Sequence, residues 1–211
     1  MSYTLYGSPG TASMCVHWML IALGVPFEYV TVDFGKQAQH DPAYLKLNPA
    51  GHVPALVIGG KAYAETAALL MLLAERHPEH GFAPALGSQE RGDYLQWMIV
   101  LANTLMPAFR LFYYADEGAG PGNAEATKAQ AATRIAKVFD RIDAQLADGR
   151  PFLLGAQMTA VDFLMGMLVR WSRNLPRTAM DWPHLKDYVM RVRAIPSYRA
   201  THEKEGLTGW I

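Results

Sequence analysis

The 211-residue sequence predicts a small α/β layer followed by an all-helical half. Three observations predict it. Up to Arg76, short apolar runs alternate with helical stretches. The segment HPEHGFAPALGSQERG, rich in proline and glycine, then breaks that pattern. Beyond it every apolar stretch has the length and period of a helix.

Tyr3 to Tyr6 is a short strand, closed by Gly7, Pro9 and Gly10. Ser13 to Leu23 reads as a helix with Gly24 as its stop. Glu28 to Asp33 (EYVTVD) alternates like a second strand. Asp41-Pro42 is a cap with proline at the first helical position, and it opens a short helix to about Leu47. VPALVI, the Gly59-Gly60 turn and KAYA form a hairpin. Thr66 to Arg76 is a strongly apolar helix that ends before Pro78. This order predicts a mostly parallel layer with an antiparallel hairpin at its edge.

The first domain is assigned to residues 1–78, the linker to 79–90 and the helical domain to 91–211. Arg91 to Ala115 reads as one long helix. Pro107 lies inside it and should kink it, because proline cannot donate to the Asn103 carbonyl. DEGAGPGN is a flexible loop. Ala124 to Ala147 has helical periodicity with a charged outer face. Thr159 and Asp162 form a capping box ahead of a buried helix, with Met158 as the hydrophobic staple. Pro183 to Ala194 and Ser197 to Glu205 complete the helices.

Lysine plus arginine balance aspartate plus glutamate at 19 each, which argues against a nucleic-acid or membrane surface as partner. A charge, proline or glycine interrupts every long apolar run, so no span is expected. The start, MSYTLYGSPG, lacks the basic and apolar regions of a signal peptide. The single cysteine, Cys15, cannot close an internal disulfide, and the expected location is cytoplasmic. His77 and His80 flank Pro78 without a cysteine partner, so they are read as solvent-facing and no metal site is expected.

Two segments carry candidate chemistry. In NPAGHVPAL a proline heads an apolar strand. A cis Val53-Pro54 bond would leave the Val53 main chain free to pair with an extended peptide, and a plain turn is the alternative. In AETAALL, Glu65 and Thr66 precede a helix. Glu65 offers an acceptor to an ammonium, and Thr66 offers a hydroxyl and an amide to a carboxylate. The pair suits the zwitterionic head of an amino acid, and an ordinary helix cap is the alternative.

NPAGHVPAL, AETAALLMLLAERHP and the later MTAVDF together resemble the signature segments of cytosolic glutathione transferases. The resemblance spans essentially the whole chain and is beta-like overall. It implies a thioredoxin-like N-terminal domain and an all-α C-terminal bundle. It also implies a homodimer that uses glutathione as co-substrate, needs no other cofactor, and adds the thiol to a small electrophile. By position, Val53 and Pro54 would hold the cysteinyl backbone of glutathione. Glu65 and Thr66 would hold its γ-glutamyl head, with His52 and Lys36 near its glycyl carboxylate. Lys36 is equally a solvated loop charge.

The resemblance places the thiol over SPGTASMC, Ser8 to Cys15. There the chain departs from the family. The beta-class cysteine position falls on Ala12, the serine of other classes falls near Gly10 or Thr11, and the beta-class histidine falls on Met106. Thr11 and Ser13, through hydroxyl or amide, are the candidate catalytic groups, with Ser8 a third choice. Cys15 is read as a small buried hydrophobe. Met106, Arg110 and Tyr113 recur on one face of the long helix and are the candidate electrophile pocket; bundle core for Met106 and solvent for Arg110 are the alternative. Alternatives to conjugation are glutathione binding with little turnover, and peroxide or disulfide reduction, which the missing cysteine weakens.

Overall fold

A computed structural model of the chain describes residues 2–118 and 122–209. They cluster into two compact units, Met1–Ala83 with Arg193–Ile211, and Pro84–Val192.

The first unit is built on a sheet of strands β1 (Tyr3–Gly7), β2 (Phe27–Thr31), β3 (Ala55–Ile58) and β4 (Lys61–Tyr63), in the order β2-β1-β3-β4. β1 runs parallel to β2, with Leu5 opposite Tyr29. It runs antiparallel to β3, with Leu5 opposite Leu56, and β3 is antiparallel to β4. The sheet is therefore mixed, and the mostly parallel layer expected from sequence is corrected. Alternation in a sequence fixes the face a strand buries but not its direction. The connection from β2 to β3 contains only the one-turn helix α2 (Pro42–Leu45) and short single turns, not a crossover helix of the kind that makes strands parallel.

Helix α1 (Met14–Leu23) is buried from Met14 through Leu20, so it belongs to the interior rather than to one amphipathic face. Helix α3 (Thr66–Arg76) packs on α1 and buries Leu69, Leu70 and Leu73. Residues 193–211, grouped with the helical domain by sequence, cluster instead with this first unit. The reason is that their helix α10 (Pro196–Lys204) packs on α1. The Trp18 indole donates to Ser197 Oγ at 2.9 Å and meets the Tyr198 ring edge-on at 4.9 Å.

In the second unit the long helix is two helices, α4 (Glu90–Val100) and α5 (Met106–Tyr113). Between them Leu101–Leu105 form a widened turn in which the Met106 amide donates to the carbonyl of Leu101, five residues back. Pro107 has no amide to offer at the next position, and the wider turn takes the place of the simple kink expected. A short helix α6 (Ala115–Gly118) occupies the start of the predicted DEGAGPGN loop, and its positions 119–121 lie outside the described residues. Helices α7 (Ala124–Leu146) and α8 (Ala160–Trp171) follow, and α9 (Pro183–Ala194) begins in this unit. Phe109, Phe139, Trp171 and Trp182 meet edge-on or tilted across them. By length and composition Glu90–Tyr113 could cross a bilayer, but Tyr94, Trp97, Met98, Leu101, Leu105 and Phe109 of this stretch are buried in the unit.

The capping box at α8 is present. Asp162 is fully buried and accepts from the Leu153 amide at 3.0 Å, the Thr159 amide at 2.8 Å and the Thr159 hydroxyl at 3.2 Å. The Tyr188 hydroxyl adds a longer bond of 3.3 Å. Burial outweighs these donors and pushes the Asp162 carboxyl up to about 6, from an ordinary 3.8. A raised folded-state pKa makes a contribution that is complete below the unfolded value and is lost as pH rises through the folded one. The advantage of wild type over Asp162→Asn in thermal melts should therefore be largest below about pH 3.8 and shrink by roughly 2–3 kcal/mol between pH 4 and pH 7. Melts whose difference is flat across that range would contradict this. Asp162→Ala, which strands the buried Leu153 and Thr159 amides, should cost roughly 3 kcal/mol or more at any pH.

Candidate functional site

The strand registers gather the candidate residues of the first unit at one edge of the sheet. Gly7 ends β1 level with Thr31 of β2, and Tyr6 lies opposite Ala55 of β3. Leu56 lies opposite Tyr63, so two more steps of the same antiparallel register bring residue 54 level with residue 65. The Ser8–Ser13 turn, Val53-Pro54, Glu65 and the loop carrying Lys36 thus leave the sheet at the same edge.

The turn is knotted on Ser8. Its carbonyl accepts from the Thr11 amide at 3.2 Å, the Thr11 hydroxyl at 2.6 Å and the Ser13 hydroxyl at 3.0 Å. The Ser8 amide donates in turn to Ser13 Oγ at 3.0 Å. Ser13 is 0 % exposed and caps α1 from outside the helix rather than beginning it. It presses on Gly7, where a Cβ would come within 2.6 Å of Ser13 Oγ and 2.8 Å of the Tyr29 hydroxyl, so only glycine fits. Gly10 turns the chain at φ 69°, and Thr11 is half-buried. Both candidate hydroxyls therefore spend their protons on Ser8, which sequence could not reveal. The Ala12 amide makes no hydrogen bond among the described residues.

Cys15 is 0 % exposed, with its Sγ turned to the Ala12 carbonyl at 3.5 Å. Burial pushes its thiol far above the ordinary value, so it is neither reachable nor a ready thiolate.

Val53-Pro54 is cis. The preceding carbonyl, of His52, is fixed by the Tyr44 hydroxyl and the Asn48 amide, each at 2.6 Å. Burial raises the Tyr44 phenol to about 12, so it stays a donor. The Val53 amide and carbonyl make no hydrogen bond among the described residues. His52 is exposed, and its Nδ1 lies 2.6 Å from the Ala50 carbonyl, which leaves Nε2 for a ligand. Lys36 is exposed and lies 3.4 Å from Asp33.

Glu65 stands at the start of α3 with φ 70°, a left-handed conformation rare for a side-chain-bearing residue and common where a binding site holds it. It is exposed; its carbonyl accepts from the Leu69 amide at 2.9 Å, and its side chain makes no hydrogen bond or ion pair among the described residues, while the adjacent Thr66 is buried.

In the helical unit, Met106 is half-buried. Arg110 pairs with Glu117 and stacks over the Tyr114 ring at 4.3 Å. Tyr113 is 39 % exposed, and its hydroxyl donates to the Trp171 carbonyl. Burial raises the Tyr113 phenol above its ordinary value.

The glutathione S-transferase N-terminal domain model matches residues 1–75 and the corresponding C-terminal domain model matches 101–196. A curated glutathione S-transferase of Arabidopsis thaliana is 30 % identical over 168 residues, covering 77 % of each chain. The chain belongs to the glutathione S-transferase family. A relative from Xanthomonas campestris pv. campestris is 29 % identical over 96 % of this chain and 98 % of its own. A solved glutathione transferase homologue from Sulfitobacter, with bound glutathione, superposes with a TM-score of 0.88 at 27 % identity, over 98 % of this chain and 99 % of its own.

Within this glutathione S-transferase, sequence reasoning missed the residues behind the turn. Glu205 and His17 form a buried pair, with Oε1 2.8 Å from Nδ1 and side chains 1 % and 4 % exposed. Glu205 Oε2 also accepts from the Gly10 amide at 2.8 Å. A lone histidine in an apolar helix was the signal, but its partner is 188 positions away. Burial shields the Cys15 thiol from solvent reagents. The native protein should resist iodoacetamide under conditions that alkylate the urea-unfolded chain completely, read by intact mass. Rapid alkylation of the native form would contradict the placement.

Proposed function

We propose that the chain is a cytoplasmic, homodimeric enzyme that binds glutathione and adds its thiolate to small electrophiles. The observation that carries this is the convergence at one sheet edge of an unpaired Val53 main chain, Glu65 at φ 70° and the start of α1. A tripeptide with an amino-acid head can meet all three. Its cysteinyl amide and carbonyl pair with Val53 as an added strand would, with Pro54 fixing the approach. The ammonium of its γ-glutamyl head meets Glu65. The head's carboxylate meets Thr66 and the first amides of α3. Its glycyl carboxylate meets His52 Nε2 and Lys36. The Sulfitobacter homologue, which binds glutathione, supports the reading.

The thiol then lies over the start of α1. Lowering it by about two units from its ordinary 8.5 requires about 2.7 kcal/mol of thiolate stabilisation. We assign this to the Ala12 and Ser13 amides, and to the Thr11 hydroxyl once it turns from Ser8 to the sulfur. The proton leaves to water, and the sulfur lone pair forms the new C–S bond as a carbon–halogen, epoxide C–O or enone π bond breaks, its electron pair leaving on halide, alkoxide or enolate oxygen. Met106, Arg110 and Tyr113 are the electrophile side. No metal or further cofactor takes part, and neither nucleic acid nor membrane is a partner. We place the protein in detoxification chemistry of this class.

A second reading, glutathione binding with little turnover, is favoured by the commitment of both hydroxyl protons to the Ser8 carbonyl. Titrating the thiolate absorbance of bound glutathione, beside a panel of halogenated aromatics, epoxides and enones, separates the two. Thr11→Ala should raise the bound thiol's pKa by about 0.5–1 unit, the equivalent of one hydrogen bond. Bound glutathione with an unperturbed thiol and no conjugate in the panel would establish the second reading. Glu65→Ala should weaken glutathione by about 1.5–3 kcal/mol in calorimetry. Unchanged affinity would sink the site assignment.

A further inference from the structure

Glu205 is poorly placed for the helix that carries it. It is the C-cap residue of α10, directly after Lys204, where the helix dipole disfavours a negative charge. It is also almost wholly buried, and a buried carboxylate is costly unless donors meet it. Both oxygens are met, and both donors belong to the opposite end of the chain. One is His17, inside α1, and the other is the amide of Gly10, at the apex of the turn before α1. A single carboxylate therefore fixes the turn relative to the helix it leads into.

We propose that Glu205 is a positioning residue for thiol activation, holding the Gly10 apex so that the donors of residues 11–13 face the glutathione sulfur. The inference rests on the functional reading above. The Ser8 knot makes the turn rigid within itself, through bonds among Ser8, Thr11 and Ser13. Glu205 ties the far side of that rigid unit to α1. Without the tie, the turn keeps its shape but can swing about its junctions with β1 and α1. Hydrogen bonds weaken steeply with misalignment, so a small swing takes the amides off the sulfur. Glutathione itself is held elsewhere, at Val53, Glu65 and Thr66. Loss of Glu205 should therefore strike the thiol and spare binding. A role in stability alone would lower the melting temperature and leave the bound thiol's titration where it was.

The test measures glutathione affinity, kcat, KM and the thiolate titration of bound glutathione in wild type, Glu205→Ala and Glu205→Gln. Glu205→Ala should raise the bound thiol's pKa by about one unit, lower kcat near pH 6 about tenfold, and change glutathione affinity less than about threefold. Glu205→Gln keeps an oxygen for the Gly10 amide and should titrate within about 0.3 unit of wild type, whatever it loses in melting temperature. A folded Glu205→Ala that titrates like wild type overturns the inference while the functional reading stands. Should Glu205→Ala fail to fold, Glu205→Asp decides instead, because its shorter side chain cannot keep both 2.8 Å contacts: a bound thiol pKa raised above wild type supports the inference, and a wild-type titration overturns it. Wild-type protein that binds glutathione without lowering its thiol pKa overturns the functional reading and this inference together.

Discussion

Removing a carboxylate from water costs several kcal/mol, and the cost is met only when donors reach both oxygens. The first unit depends on one such group. Glu205 takes the His17 imidazole on one oxygen and the Gly10 amide on the other. With the Trp18 bond to Ser197 it seats α10 against α1, so the last helix supports the first. The second unit repeats the device with Asp162, whose oxygens take the amides of Leu153 and Thr159. Each carboxylate fixes the segment that leads into a buried helix. The difference is range. Asp162 reaches three and nine positions back, while Glu205 reaches 188 and 195.

That difference explains what could be read from the sequence. The capping box was legible because its spacing is local and has one geometry. The glycine stop of α1, the Gly59-Gly60 hairpin and the start of α3 were legible for the same reason. Strand direction was not, because β2 and β3 alternate identically whichever way they run. The widened turn at Leu101–Leu105 was not, because Pro107 announces a missing amide without saying how the helix re-pairs around it. Glu205 stood in a helix like any other surface acid. Only folding brings it to Gly10.

The candidate site divides along the same line. Residue types at Val53, Pro54, Glu65 and Thr66 carry their chemistry in the local segment, and the registers of β1, β3 and β4 then converge on one edge. The groups proposed to activate the thiol do not work this way. Thr11 and Ser13 look equivalent in SPGTASMC, yet Ser13 is buried against Gly7 and built into the turn, while Thr11 stays partly open. Cys15, chemically the most suggestive residue of the segment, lies in the core one step past the helix start.

In the proposed function the turn offers the sulfur only weak donors, and weak donors work through alignment. A charge-assisted hydrogen bond to a thiolate is worth roughly 1.5–3 kcal/mol, so two well-aimed amides reach the ~2.7 kcal/mol that a two-unit shift requires. Two poorly aimed ones do not. A site of this kind cannot tolerate a loose scaffold, and its scaffold is unusually constrained. Gly7 admits no side chain, the Ser8 carbonyl gathers the turn's donors, and the Gly10 amide ends on a buried carboxylate.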